Sequence, residues 1–555
     1  MKFSAYNRLI KSFTDRQLLT LLLVLIVNLI VRGWCNEVIA LSRDEPFTAY
    51  FSQLQVSQFV PIILDTNNPP TFEVLLHYWS MFFGSDIKTL RWLPTIIMSL
   101  GAIPIYLLGK RIGGKSAAIM ASILFLGSGF LMNTSHLDRA YCILITGSVY
   151  MFYLFLRLFE KVNRNDMLLW SIVAIITCYS HYFGWITVAT IWFAVIAIKE
   201  FRRETFRKMA VATLILLVCY LPLILFLFHR FSVTQDELET AHYTLSAHRF
   251  TSLIGEFLNG DWVTIAFAFS GLGVGSYLLI HKMTRAGIIL VGFSFLFLIT
   301  SFTRHEEFTP VSQQIMLGLL FSLSAFSLYY TCVGNTSAVR KLVIYWAIVP
   351  LAIGFVLSQR MPIFVDRYFS FTIPAILFLV VILVQEMPNM PLRIGFFGLF
   401  FAVYLGCFEA APKYYVDHRP AVEAFRDYHA KTDLSIVGPG YFDFDFAYYF
   451  DRAIFYNGAN HMCDTVGAKI SFDKSYVRFK EGFRRELRKH RIVISNDSSA
   501  LQLDTASVHS IAFFDGNLSL AYPNNGIFTF LESRYGAPSQ TTDFSGLYKI
   551  YVFAK

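Results

Sequence analysis

The chain alternates between long apolar stretches and short polar segments, and the apolar stretches repeatedly reach the length of a membrane span. A helix rises about 1.5 Å per residue, so about 20 apolar residues cross the roughly 30 Å hydrocarbon core of a bilayer. The pattern predicts thirteen transmembrane helices, at about 18–34, 89–109, 115–133, 139–159, 167–181, 183–199, 207–229, 262–281, 286–302, 311–331, 341–358, 368–386 and 392–410. The fifth and sixth are separated only around Ser180, His181 and Tyr182, because an unbroken stretch of about 33 residues is too long for one tilted span.

Basic residues in the connecting loops predict the orientation of these helices. With the N-terminus in the cytoplasm, the cytoplasmic loops contain most of the loop lysines and arginines, although the opposite loops are longer in total. This is the positive-inside bias, and an odd number of spans places the C-terminus outside. The N-terminal basic residues precede an apolar run without a small-residue cleavage site, which predicts an uncleaved first span. We therefore expect a multi-pass protein of the cytoplasmic (inner or plasma) membrane.

Two large segments are predicted to lie outside this membrane. The first outer loop, at about 35–88, includes an amphipathic stretch at 47–60 that is suited to the membrane interface. The tail, 412–555, has 17 Lys and Arg against 16 Asp and Glu and reads as soluble. Its pattern predicts helices at 419–431 and 477–490 and strands at 434–438, 492–495 and 548–553. The fold class is thus a polytopic α-helical membrane domain, 1–411, plus a small extracytoplasmic α/β domain.

Composition excludes several classes of protein. Hydrophobic residues make up 55% of the 555 residues and charged residues only 15%, against about 25% charged in an average soluble domain. A soluble enzyme, a disordered chain and a fibrous repeat are therefore excluded. The net charge of +9 is explained by loop residues that hold topology, so nucleic acid is not an expected partner. The 7 cysteines form no CxxC pair and predict neither a disulfide framework nor a zinc site.

One motif looks like a nucleotide site. Residues 109–116 read Gly-Lys-Arg-Ile-Gly-Gly-Lys-Ser and match the P-loop pattern letter for letter. A P-loop requires a strand before it, a helix after it and a carboxylate for magnesium. Here a predicted span precedes the motif, so we interpret it as a short basic turn between two spans.

The ionisable residues near the membrane gather at the outer ends of the predicted spans, and the span interiors are almost free of charge. Ionisable groups at membrane depth are costly and usually functional. A sugar attached to a lipid phosphate would have its scissile bond at this depth. Its transfer needs a carboxylate base for the acceptor's proton and cations for the departing phosphate. Asp44 is the candidate base, and Arg139 and Arg367 are the candidate cations.

The order of these residues resembles the polyprenyl-phosphate-dependent GT-C glycosyltransferases, which include bacterial relatives of the protein O-mannosyltransferases and the lipid A aminoarabinose transferases. The resemblance rests on the motifs Asp44-Glu45, Asp65 to Pro70, Leu90 to Pro94, Arg139-Ala140-Tyr141, His181-Tyr182 and Arg367-Tyr368. It implies that Asp44 is the catalytic base. It further implies substrate binding by Glu45, Asp65, Asp138, Arg139, Tyr141, His181, Arg367 and Tyr368.

One departure bears on cofactors. Relatives often show His-Pro-Pro where this chain has Asn68-Pro69-Pro70, and a neutral amide neither titrates nor serves as a strong metal ligand. A divalent metal ion is therefore left open, and no other cofactor is implied.

The function hypothesis is an inverting glycosyltransferase that moves a hexose or pentose from a polyprenyl-phosphate donor to an extracytoplasmic lipid, glycan or protein. One alternative is a transporter or a lipid or glycan flippase, which would predict inverted repeats and polar groups at the bilayer midplane. Another is an oligosaccharide ligase, which the sequence does not separate from the first. At the residue level, the alternatives are a solvated Asp44-Glu45 pair, arginines that snorkel at helix ends, and a His181 that bonds the backbone at a helix break.

Overall fold

A computed structural model describes most of the chain and divides it into two compact units. The described residues are 15–34, 36, 39–41, 44–64, 69–160, 164–237, 247–260, 262–265, 268–269, 271–272, 276, 337–358, 363–387, 389–409, 417–456, 475–499, 501 and 508–555. The first unit comprises Met1–Asn36, Pro94–His136 and Ala140–Pro412. The second comprises Glu37–Leu93, Leu137–Arg139 and Lys413–Lys555.

Helices make up most of the described chain before residue 412. In chain order they are α1 (Asp15–Trp34), α2 (Glu45–Phe51), α3 (Val56–Leu64), α4 (Thr71–Phe83), α5 (Ile87–Leu100), α6 (Ala102–Leu126), α7 (Gly129–Ser135), α8 (Tyr141–Glu160), α9 (Arg164–Ser180), α10 (Gly184–Ala197), α11 (Lys199–Glu237), α12 (Ala247–Phe257), α13 (Ala338–Ser358), α14 (Asp366–Phe369), α15 (Ile373–Gln385) and α16 (Met390–Gly406).

The described residues include 6 helical stretches that are long and apolar enough to cross a membrane. They are Arg16–Trp34, Ile87–Leu126, Tyr141–Glu160, Lys199–Ile224, Ala338–Ser358 and Asp366–Gln385, and Gly184–Ala197 and Met390–Gly406 are shorter apolar helices. The chain is thus a multi-pass membrane protein. The predicted spans at 262–281, 286–302 and 311–331 lie largely or wholly outside the described residues. The number thirteen therefore stays a prediction.

The P-loop-like segment is a turn between two helices, as the sequence analysis interpreted it. Within α6 the backbone leaves the helical conformation at Gly113 and Gly114, and Gly114 has a φ of 75°. A left-handed φ favours glycine, which has no Cβ. A Cβ on Gly109 would come within 2.7 Å of the Ala118 Cα, so the two halves of α6 approach closely at this point. A helix, where a P-loop needs a strand, precedes the segment.

Tryptophan and phenylalanine side chains fill the interior of the first unit. The fully buried Trp346 of α13 stacks on Phe152 of α8 with ring centroids 4.1 Å apart. Its indole N–H donates to the Phe371 carbonyl at 3.0 Å. In contrast, α1 exposes Leu19 and Leu23 over more than half of their surface, as expected of a helix that faces lipid.

A mixed five-stranded sheet forms the centre of the tail. The elements are α17 (Arg419–Lys431), β1 (Leu434–Gly438), α18 (Asp443–Phe450), α19 (Ser475–Lys489), β2 (Ile492–Ile494), β3 (Ser510–Asp515), α20 (Leu518–Ala521), α21 (Ile527–Tyr535), β4 (Gln540–Phe544) and β5 (Tyr548–Ala554). The strand order is β2-β1-β3-β5-β4, in which β1 is parallel to β2 and β3 and β5 is antiparallel to β3 and β4. The predicted helices and strands of the tail all appear within about two residues, whereas α18, α20, α21, β3 and β4 were not predicted.

The first outer loop packs against the tail inside the second unit. Tyr50 of α2 contacts Phe444 of α18 and Phe479 of α19, with ring centroids 5.9 Å and 5.4 Å apart. Tyr50, Phe51 and Phe59 are fully buried. The expectation that 47–60 lies in the membrane interface is therefore wrong, because aromatic side chains of the tail cover its apolar face. The division also groups this loop with the tail, whereas the sequence analysis grouped it with residues 1–411.

Candidate active site

A buried ion pair anchors the acidic motif of the second unit. Arg91 Nη2 lies 3.3 Å from both carboxylate oxygens of Glu45, and the two side chains are 0% and 1% exposed. Arg91 also donates to the carbonyl oxygens of Ile39 and Ala40. Glu45 Oε1 accepts a further hydrogen bond from the Asp138 N–H at 3.1 Å. This geometry favours a positioning role for Glu45, in which it holds the loop in place. The sequence had instead predicted that Glu45 contacts the substrate.

Asp138 lies in the same cluster and is completely buried. Among the described residues, neither of its carboxylate oxygens has a hydrogen-bond partner. Burial raises the pKa of Asp138 well above its usual value, the neighbouring Glu45 raises it further and Arg91 lowers it. One guanidinium cannot neutralise two carboxylates, so the cluster reaches charge balance when one proton is held on Asp138.

Asp44 has a different environment from Glu45. It is exposed, and it precedes α2 as the residue at its N-terminal cap. Its carbonyl oxygen accepts from the Thr48 N–H at 3.3 Å and from the Thr48 hydroxyl at 3.4 Å. The Asp44 carboxylate is thus accessible to an acceptor, while the backbone that carries it is fixed by the first turn of α2.

Arg139 connects to the same turn. Its Nη1 donates to Thr48 Oγ1 at 3.0 Å, so Thr48 joins the backbone of Asp44 to the side chain of Arg139. The side chain of Arg139 is 13% exposed and its Nη1 lies 4.0 Å from Glu73 Oε1. Burial raises the pKa of Glu73, and Arg139 lowers it. The predicted base and a predicted phosphate-binding cation therefore share one local scaffold.

Glu73, Arg91 and Thr48 were missed as site residues. Glu73 is 3% exposed, and its Oε2 has no hydrogen-bond partner among the described residues. Its signal in the sequence is a single acid in the apolar helix that follows Pro69 and Pro70. Arg91 lies in a motif that carried the family resemblance, whereas nothing in the sequence pattern marks Thr48.

The remaining described candidates form an aromatic cluster in the first unit. The His181 ring centroid lies 5.5 Å from that of Tyr141 and 5.6 Å from that of Tyr368. His181 Nδ1 accepts from the Phe183 N–H at 3.1 Å, so this histidine does bond the backbone at the break between α9 and α10. The guanidinium of Arg367 lies 5.7 Å from the Tyr368 ring centroid. Asp65 lies outside the described residues.

The described residues include no group of three or more His, Cys, Asp or Glu side chains that could hold a metal ion.

Part of the chain matches a known protein family. Residues 67–227 match the family model described as dolichyl-phosphate-mannose-protein mannosyltransferase. No curated protein matches the sequence.

Solved structures to which this chain is similar include two of ArnT and one of AglB. ArnT from Cupriavidus metallidurans in the apo state is 15% identical, with 96% of this chain and 97% of that chain covered and a TM-score of 0.44. The same protein bound to undecaprenyl phosphate is 13% identical, with the same coverage and a TM-score of 0.43. The oligosaccharyltransferase AglB from Archaeoglobus fulgidus, in complex with an inhibitory peptide and a dolichol-phosphate, is 11% identical, with 97% and 74% covered and a TM-score of 0.44.

Sequence identities of 11–15% are too low to assign a function to this chain. The family resemblance therefore rests on the match of residues 67–227. That match covers the part of the sequence from Asn67 through the Arg-x-Tyr and His181-Tyr182 motifs. The resemblance to the protein O-mannosyltransferases, predicted from the motifs of the sequence, is confirmed over residues 67–227.

Proposed function

We propose that this protein is an inverting glycosyltransferase that moves a sugar from a polyprenyl-phosphate donor to an acceptor outside the cytoplasmic membrane. The observation that carries the proposal is the Thr48 bridge, which holds the backbone of Asp44 and the guanidinium of Arg139 on one helix turn. An accessible carboxylate beside a fixed cation is the pair that glycosyl transfer from a phosphate requires. The family-model match, whose description names a dolichyl-phosphate sugar, supports this type of donor.

In the proposed reaction the Asp44 carboxylate accepts the proton of an acceptor hydroxyl as its oxygen attacks the anomeric carbon. The bond between that carbon and the phosphate oxygen breaks, and the electron pair leaves with the polyprenyl phosphate. Arg139 stabilises the negative charge of the phosphate, and Arg367 stays the second candidate cation that the sequence predicted. A single displacement inverts the anomeric configuration, and its transition state resembles an oxocarbenium ion.

The experiment supplies purified protein with labelled polyprenyl-phosphate sugars and a lysate as the source of acceptors. We expect the label to move from the lipid to a larger or more polar product, with inversion at the anomeric carbon. Asp44→Asn should abolish the transfer, whereas Asp427→Asn, which alters an exposed aspartate of α17, should leave it unchanged.

The outcomes separate the alternatives. Transfer only from a polyprenyl-linked oligosaccharide, and not from a monosaccharide donor, would indicate an oligosaccharide ligase. Movement of the lipid-linked sugar across a vesicle membrane without any transfer would indicate a flippase. Retained transfer in a folded Asp44→Asn variant would place the base elsewhere, and Asp138 or Asp65 would be the next candidate.

A further inference from the structure

The tail contains a cavity that the proposed reaction does not use. Its volume is about 820 Å³, within the range of about 300–1,000 Å³ that is typical of small-ligand sites. Four cationic side chains line it, namely Arg426, Arg452, Lys489 and Arg491. The acidic side chains in the lining are Glu423 and Asp451, so the cations are in excess.

Three of these cations are positioned without being neutralised. Arg426 donates to the carbonyl oxygens of Phe450 and Tyr449 at 2.7 Å and 2.6 Å, and Arg491 donates to the Thr432 carbonyl at 3.1 Å. The guanidinium of Arg452 lies 5.0 Å from the ring centroid of Tyr448. In the described part of the chain, none of the three has a carboxylate within ion-pair distance. Carbonyl oxygens and rings orient a guanidinium but leave its formal charge, so the cavity attracts an anion.

Other basic side chains of the same region are paired with a carboxylate, unlike Arg426, Arg452 and Arg491 of the cavity. Lys480 and Arg484 of α19 lie 3.4 Å and 3.2 Å from Asp443 Oδ2, and Asp443 is fully buried. The basic stretch formed by α19 and the turn after it therefore has two parts. Its middle binds α18, and its end, at Lys489 and Arg491, lines the cavity.

The electrostatic environment of His429 agrees with an excess of positive charge. This lining side chain has Nδ1 at 2.8 Å from Ser435 Oγ. Burial lowers the pKa of His429, and the nearby Arg491 and His490 lower it further. A neutral His429 leaves the three guanidinium groups as the charges that face a ligand, because Lys489 Nζ lies 2.6 Å from Glu486 Oε2.

The inner wall of the cavity is aromatic, because the rings of Tyr448, Tyr449 and Phe450 line it. Tyr448 is 1% exposed and its phenol interacts with Asp138, so the wall offers ring faces to a ligand and not this hydroxyl. Aromatic faces suit an amphipathic ring, so the wall fits a sugar better than a bare inorganic ion.

The same wall is joined to the segment that carries the candidate base. The Leu41 N–H donates to the Tyr449 hydroxyl at 2.7 Å, three residues before Asp44. A saccharide held in the cavity would therefore be bound to the structure that orients Asp44.

We propose that this cavity binds an anionic sugar, meaning a saccharide with a phosphate or carboxylate group, and that this sugar is part of the acceptor. The evidence for a binding site is the cavity and its lining residues. The assignment of the bound sugar to the acceptor rests on the proposed function. The acceptor would accordingly be an acidic glycan.

The test uses the full chain in nanodiscs of zwitterionic lipid. Glucose 6-phosphate, glucuronate, glucose and inorganic phosphate are titrated separately by calorimetry. We expect saturable binding of glucose 6-phosphate or glucuronate in the millimolar range or below, and weaker binding of glucose and of phosphate. Arg452→Gln, which breaks no backbone hydrogen bond, should weaken the binding about tenfold, or about 1.4 kcal/mol. Arg452→Lys should restore part of the affinity, and Arg485→Gln, an exposed arginine of α19 outside the cavity lining, should change nothing.

Several results would overturn the site. These are no saturation by either anionic sugar, equal affinity of Arg452→Gln and the unaltered protein at equal thermal unfolding midpoints, or equally tight binding of inorganic phosphate alone. Binding only to vesicles that contain phosphatidylglycerol would assign the cavity to lipid and also overturn it.

A second readout separates this inference from the proposed function. Asp44→Asn should bind glucose 6-phosphate with unaltered affinity while transferring no sugar. In transfer assays, Arg452→Gln should raise the KM for an acidic acceptor glycan and leave kcat unchanged. Binding of the anionic sugar without any glycosyl transfer by the unaltered protein would refute the proposed function and the acceptor assignment, and the binding site would stand.

Discussion

At the scale of single residues, two neighbouring acids have opposite environments. Asp44 is exposed at the start of α2, whereas Glu45 is buried in an ion pair with Arg91. A general base must reach the acceptor hydroxyl, and a buried acid that accepts from a guanidinium and a backbone N–H cannot. The two side chains therefore make a matched pair for mutation.

We expect Asp44→Asn to abolish turnover and Glu45→Gln to act on stability first. Asn keeps the volume of Asp but accepts no proton, and a general base contributes about 10²–10⁴-fold to the rate. Breaking a buried ion pair by removing one partner costs about 3–5 kcal/mol. The loss in Glu45→Gln should be smaller, about 1–3 kcal/mol, because Asp138 can ionise and pair with Arg91. Single-turnover rates and chemical denaturation measure the two effects, and a destabilised Asp44→Asn would contradict the assignment.

Arg139→Ala should weaken donor binding and turnover together. The leaving phosphate is charged before and after the transition state, and charge-assisted hydrogen bonds contribute about 1.5–3 kcal/mol. The paired measurement is the affinity for a non-transferable polyprenyl phosphate and the single-turnover rate. Arg534→Ala, which alters an arginine of α21 that is not among the candidate site residues, serves as the control. A variant with normal donor affinity and a slow rate would assign Arg139 to another step.

Asp138 should make stability depend on pH. The groups that face it are Glu45, Arg91 and the phenol of Tyr448. Because its pKa in the folded protein lies above the unfolded value of about 3.9, its stabilising contribution is complete below that value and is lost as the pH rises through the folded pKa. Thermal unfolding of the protein and of Asp138→Asn should therefore diverge from about pH 4 upward, with the Asn variant the more stable. A constant difference between them across pH 4–8 would show that Asp138 is ionised throughout.

At the scale of elements, the first turn of α2 determines how the site is built. A seven-residue helix is too short to be stable alone, so its burial against α18 and α19 holds it in place. Thr48 in that turn is fully buried and bonds both Asp44 and Arg139. The packing of the tail against α2 therefore fixes the positions of the candidate catalytic residues.

Replacing Thr48 by Val should slow transfer with little loss of stability. Val has nearly the same shape but no hydroxyl, so Arg139 loses the acceptor at Thr48 and the Asp44 carbonyl loses the hydrogen bond from the Thr48 hydroxyl. We expect a fall in kcat of about tenfold, the effect of one hydrogen bond to a charged group. Thr48→Ser retains the hydroxyl and should restore most of the rate. Equal rates for the Val and Ser variants would show that the bridge has no role in positioning.

At the scale of the whole molecule, the positive-inside pattern predicts on which side of the membrane each segment lies. The loop at 200–208 is predicted to be cytoplasmic, and the tail is predicted to be outside. In a variant without native cysteines, a single cysteine at Arg203 should react with an impermeant reagent only from the inside of intact vesicles. A cysteine at Asn496 should react only from the outside. Labelling of both from one side would refute the topology and with it the outward-facing site.

The sequence by itself determined the membrane-spanning character, the long apolar helices and several elements of the tail. These depend on local period and composition, and so α17 and β1 appear at the residues that the pattern predicted. The sequence assigned the base to Asp44 and substrate binding to Glu45, but it could not show that Glu45 is buried in an ion pair, because this depends on Arg91, which is 46 residues away along the chain. The roles of Glu73 and Thr48 likewise arise only when α2, α4 and Arg139 are brought together. The cavity cations are scattered over more than 60 residues, and only the packing of the tail turns them into one site, since electrostatic fields depend on distance in space and not along the chain.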